Sequence, residues 1–135
     1  MRPATVLDLA DTHGVALPDA LADALRAGRP VTLSAADERG WFRFQRLYDV
    51  ARSVLRTPAD VRRLVLEAAE DDAAEGSGWL EIQVDPSGYA ARFGGITAFL
   101  ELVLDAVHHA SARTGIGMAV VVAANRTRHE LDART

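Results

Sequence analysis

Cysteine is absent from this 135-residue chain, which excludes a disulfide framework and any thiolate metal site. Lysine is absent as well, so arginine supplies all fifteen basic side chains. The accompanying wealth of Ala, Arg and Asp reads as coding bias and carries no chemistry. Nineteen acidic residues outweigh the basic ones, giving a net charge of −4. No basic patch dominates, so neither nucleic acid nor an anionic membrane surface is an expected partner. No window approaches ~18 uninterrupted apolar residues, so no segment reads as membrane-spanning. The opening Met1-Arg2-Pro3-Ala4 lacks the apolar run of a secretory leader, and cytosolic (cytoplasmic) residence is the expectation. His-x-His, His-Glu-x-x-His and Cys-x-x-Cys spacings are all missing. Gly94-Gly95 precedes a helix without the flanking pattern of a phosphate loop, and Ser87 does not sit in a nucleophile elbow.

What is present is an ordinary globular composition, 49% hydrophobic and 25% charged, with a length suited to one domain. The most informative stretch runs from Trp79 to Asn125. Leu80, Ile82 and Val84 alternate with Trp79, Glu81, Gln83 and Asp85, which is strand periodicity. Ile96 to Arg113 then repeats apolar residues at helical spacing, and Met118 to Ala124 follows as an unbroken apolar run. Two strands joined by a crossover helix are parallel neighbours, so the fold class is α/β. Such a pair cannot cover its own faces or edges. The chain therefore reads as part of a larger architecture, with residues 1–75 a helical region and 76–135 a strand-helix-strand unit of a single segment.

The first half predicts helices. Pro3 suits a first turn and Gly14 a stop; a second helix is expected from Pro18 to Ala27, and a loop over residues 29–40. An aromatic helix follows from Trp41 to Leu55, with Phe44, Leu47, Tyr48, Ala51 and Leu55 on one stripe. Thr57, Pro58 and Asp60 form the start signal of the next helix, a capping-box variant. Val61, Leu64, Val65 and Ala68 give that helix its apolar face. Glu67, Glu70, Asp71, Asp72 and Glu75 read as a solvated face with no function assigned. Gly76-Ser77-Gly78 then turns the chain into the first strand.

Ligands of parallel α/β folds gather at the carboxyl ends of strands, here Asp85 to Tyr89 and Ala123 to Arg126. If Leu80, Ile82 and Val84 face covering helices, then Glu81, Gln83 and Asp85 point into a barrel interior and belong to a hydrogen-bonded network. A wet-faced antiparallel edge strand is the alternative, and the parallel partner argues for the barrel. His13 reads as a helix C-terminal cap and His108-His109 as a solvated face. His129 stands alone beyond the second strand.

Several short motifs, in order, resemble one family. They are Arg2 to Ala10 (Arg-Pro-Ala-Thr-Val-Leu-Asp-Leu-Ala), Phe44-Gln45-Arg46-Leu47-Tyr48, Val54-Leu55-Arg56-Thr57-Pro58, Leu80 to Pro86 (Leu-Glu-Ile-Gln-Val-Asp-Pro) and Ala123-Ala124-Asn125-Arg126. Together they resemble adenosine deaminase, in the flavour of its high-GC actinobacterial members, over essentially the whole chain. The resemblance implies a zinc-dependent (β/α)8 TIM barrel. Such a barrel removes the C6 amino group of adenosine with a zinc-bound water, giving inosine and ammonia. Some relatives take adenine or aminofutalosine instead.

In the family, His-x-His stands just before an Arg-Pro like Arg2-Pro3. The third histidine, the His-Ala-Gly-Glu acid segment and a late Asp-Asp pair come after the part matched here. Asp71-Asp72 does not correspond to that pair. The resemblance therefore places no zinc ligand and no catalytic acid on any residue of this chain, and implies an N-terminal fragment that is inactive alone. It implies a hydrophobic gate over the purine at Phe44, with Leu47 and Tyr48 a turn on, against a core-packing alternative for the same three residues. It also places Glu81 and Arg126 at the barrel mouth, beside Gln83, Asp85 and Asn125. With barrels needing about 250 residues, the chain would supply the N-terminal helices and two of the eight strands. The competing expectation is a small non-catalytic binding domain that associates with itself through exposed strand edges.

Overall fold

A computed structural model describes residues 1–29 and 40–124, which form nine elements; seven of them answer to the helix and strand signals of the sequence. The described part falls into two compact units that meet in sequence between Arg56 and Thr57.

The first unit is helical. α1 spans Pro3–Thr12, with Pro3 at its first position, where the missing N–H costs nothing. His13 follows as its C-cap, as expected, and Thr5, Val6, Leu9 and Ala10 are buried. α2 spans Asp19–Arg26 and packs on α1. Asp19 in its first turn and Arg26 in its last both complement the helix dipole. α3 covers Gly40–Ser53, one residue earlier at its start than expected and two shorter at its end. Val54 and Leu55, just beyond it, are buried. The loop expected over residues 29–40 lies, from 30 to 39, outside the described residues.

The second unit holds the sheet. α4 spans Pro58–Ala74, and its start is the capping box read from the sequence. Asp60 N donates to Thr57 Oγ1 at 3.3 Å, while Thr57 N donates to Asp60 Oδ2 at 2.8 Å. Reciprocal caps of this kind are each worth about 1 kcal/mol. β1 spans Trp79–Val84 and β2 spans Gly117–Val122, paired parallel with Trp79 opposite Gly117 and Val84 opposite Val122. Ala123 N donates to Val84 O at 2.8 Å and carries the ladder one bond further. Between the strands lie a 3-10 turn at Pro86–Gly88, the short helix α5 at Ala90–Phe93 and the crossover helix α6 at Ile96–Thr114.

The core of this unit lies where α4 and α6 cross beneath the sheet. Val61, Val65 and Ala69 meet Phe99, Val103, Ala106, Val107, Ala110 and Ile116, with Leu80, Ile82, Val84, Met118 and Val120 packed against them. The alternation of β1 thus sends its apolar set to the helices, as its sequence predicts. On α4 the buried row ends at Ala69, while Leu64 and Ala68 are half-buried. Glu67 corrects the solvated-face reading. It is buried, and its Oε1 accepts from Arg63 Nε at 2.9 Å. An i, i+4 arginine with a long apolar stem allows a carboxylate to sit there. Among the described residues, no helix is long and apolar enough to cross a membrane.

Candidate functional site

Two stretches carry the residues singled out from the sequence, one in each unit. On α3, helical spacing places Phe44 and Tyr48 one turn apart. Their rings stack at 6.2 Å between centroids, inclined by 20°. The Arg52 guanidinium sits 5.7 Å from the Tyr48 ring centre, extending the row by another turn through a cation–π contact. Phe44 is 43% and Tyr48 51% exposed, and Leu47 beside them is half-buried. Within this chain, then, the two aromatic rings are not packed in a core. They form a ridge of exposed, flat, apolar surface.

On β1, Glu81 and Gln83 point away from the helices, and both are exposed. Across the ladder they face Ala119 and Val121, so one open sheet face carries a carboxylate, an amide and small apolar groups side by side. Exposure replaces the enclosed network that a closed barrel would give them. Asp85, at the carboxyl end, is half-buried and occupied by its own turn. Its Oδ1 accepts from Ser87 N at 3.0 Å and from Ser87 Oγ at 2.6 Å, which caps the 3-10 turn. That carboxylate holds the strand end in shape. Asn125, Arg126 and His129 lie outside the described residues.

Behind this strand end stands a feature the sequence reading missed. Tyr89 stacks on Phe99 at 4.6 Å and 12°, and Phe93 leans on Phe99 at 5.1 Å and 42°. The i, i+4 spacing of Tyr89 and Phe93 was a usable signal. Their meeting with Phe99 depends on Gly94 and Gly95, whose φ values of 85° and 122° reverse the chain between α5 and α6. The three rings anchor the loop after β1 to the core.

Among the described residues no group of three His, Asp or Glu side chains is gathered closely enough to hold an ion. His108 and His109 are exposed on α6, as their adjacency predicts. What the two stretches offer is an aromatic ridge able to cover a planar ring and a strand face able to hydrogen-bond.

Comparison with known proteins gives a consistent result. A family model described as "Adenosine deaminase" matches residues 1–135. A Streptomyces coelicolor protein, provisionally named adenosine/adenine deaminase, is 64% identical over all of this chain, which covers 39% of that protein. An adenosine deaminase of Edwardsiella ictaluri is 29% identical over 98% of the chain and 41% of its own length. The crystal structure of an adenine deaminase from Arthrobacter aurescens superposes with a TM-score of 0.68 at 23% identity, covering 90% of this chain and 35% of that one. At that identity the likeness speaks for the fold, a partial (β/α)8 barrel. The chain thus spans about two fifths of the length of the curated relatives it matches.

Proposed function

The chain belongs to the adenosine deaminase family, and from that membership we propose that it is one stretch of a purine deaminase, acting on adenosine or adenine. In this reading β1 and β2 are two neighbouring strands of the barrel. Glu81 and Gln83 face its interior towards the mouth, which they shape together with Asp85, Asn125 and Arg126. Phe44, Leu47 and Tyr48 form an apolar gate over the purine ring. The zinc ion of the family takes its ligands from elsewhere in the barrel, and its chemistry would be activation of the attacking water. Cytoplasmic residence goes with this reading. The observation that carries it is the open face of a parallel strand pair whose other face is already packed on α4 and α6.

The test is to express the chain alone, and also grafted in place of the matched stretch of the Streptomyces coelicolor relative. Ammonia release from adenosine and adenine is then measured. No turnover is expected from the chain alone, with or without added zinc, and turnover is expected from the graft. An inactive but folded graft, beside an active parent, would overturn the proposal. Turnover by the isolated chain would overturn the division of labour.

A second reading, self-association of the isolated chain, has its own support. β2 carries no charge and no proline, and Val121 and Val122 are 45% and 55% exposed. Unguarded apolar strands of this kind pair with further strands. Sedimentation over a hundredfold range of concentration is expected to show mass rising above 14.5 kDa. A constant monomer mass would set this reading aside.

A further inference from the structure

At the amino end of the open sheet face the Trp79 indole lies over Gly117, its partner in the ladder. A Cβ built on Gly117 would run into the indole, 2.7 Å from Cζ3, so only glycine leaves the ring its place. Gly117 N donates to Gly78 O at 3.0 Å just beside this pair, which keeps the two strands in register under the ring. Trp79 is nevertheless 59% exposed. A large apolar ring is thus seated on a fitted glycine while most of its surface meets water, an arrangement that favours a further covering.

The ladder sorts this face into three levels. Trp79 and Gly117 form the level at the amino end, Glu81 and Ala119 the middle, and Gln83 and Val121 the level at the carboxyl end. Inward side chains of such barrels stack in layers from the amino to the carboxyl end, each layer drawn from alternate strands, and ligands sit at the carboxyl end. Four residue steps of strand carry the chain from Trp79 to Gln83, about 13 Å, so the indole is out of reach of a ligand at the mouth.

Resting on the barrel reading above, we propose that Trp79 is the floor of the barrel interior. Its ring fills the lowest layer against inward side chains of the remaining strands, using the space that Gly117 leaves vacant. The occupant of the open face is thus the part of the same barrel that makes up the relatives' remaining length, of which this chain covers 39%. Gln83, two levels higher, is left as the β1 side chain on the ligand side.

The graft described above tests this with Trp79→Ala and the milder Trp79→Phe. The expected result is a Tm lowered by about 5 °C or more for the alanine variant and by less for phenylalanine. The KM for the purine should stay within about twofold, since the ring does not touch the ligand. A graft whose Tm ignores both variants while deamination persists would leave the barrel reading standing and overturn the floor. A KM raised tenfold at unchanged Tm would overturn it as well, by placing the indole in the ligand site. If the parent graft folds without activity, the barrel reading falls and this inference with it.

Discussion

Phe99→Ala is expected to remove about 3–5 kcal/mol from the stability of the second unit, the usual cost of deleting a buried aromatic side chain. Phe99 is 3% exposed and belongs to the cluster shared by α4, α6 and the sheet. Two more rings depend on it, since Tyr89 stacks on one side and Phe93 leans on another. Such aromatic pairs add about 0.5–1.5 kcal/mol beyond area burial. A domain's whole stability is typically about 5–15 kcal/mol, so the loss approaches the lower bound. Urea unfolding followed by far-UV circular dichroism reads the change as a lower midpoint at unchanged slope. Phe99→Leu separates the two contributions, because it keeps most of the volume and loses the ring contacts. It is expected to cost less than half as much. Equal losses from both variants would show that the stacking geometry, and not the filled volume, holds the loop after β1.

Val103→Asp tests the same core by charge. Val103 is buried among apolar side chains at the centre of α6. A carboxyl placed there has no partner within the cluster, and burial disfavours its charged form. Its folded pKa therefore rises above the unfolded value of about 3.9. The sign follows from linkage. The neutral form is tolerated below the unfolded pKa, and stability is lost progressively as pH rises towards the raised folded pKa. At neutral pH the loss is expected to exceed about 4 kcal/mol, the range of exceptional substitutions, and to unfold the unit. Val103→Asn carries the same polar penalty without the titration and should show a flat difference from the parent between pH 4 and 7. A Val103→Asp variant as stable at pH 7 as at pH 4 would show that water reaches this position.

Much of the second unit was legible because each of its signals is local. Alternation in Leu80, Ile82 and Val84 gave β1, the Thr57-Pro58-Asp60 triplet gave the start of α4, and the apolar run from Met118 gave β2. The burial of Glu67 was not read, because net acidity at a helix end looks the same whether or not one carboxylate is folded back onto Arg63. The ring cluster was missed for a related reason. Tyr89 and Phe93 sit before a reversal at Gly94-Gly95 and Phe99 after it, so their contact is set by backbone angles and not by periodicity. On α3 the stripe was visible, but a stripe cannot tell a core from a surface. In this chain Phe44 and Tyr48 are exposed. The Trp79–Gly117 contact required the register, which no single strand reveals.

That register also has a consequence in time. Every rung of the ladder joins residues about 40 positions apart, and a ribosome adding about 5–20 residues per second needs about 2–8 s to bridge that gap. β1 therefore leaves the ribosome before β2, its partner in this ladder, has been made. The helix made just before it, α4, already carries Val61, Val65 and Ala69, members of the cluster against which Leu80, Ile82 and Val84 finally rest. The order of elements thus lets a finished helix shelter the new strand until its partner is made.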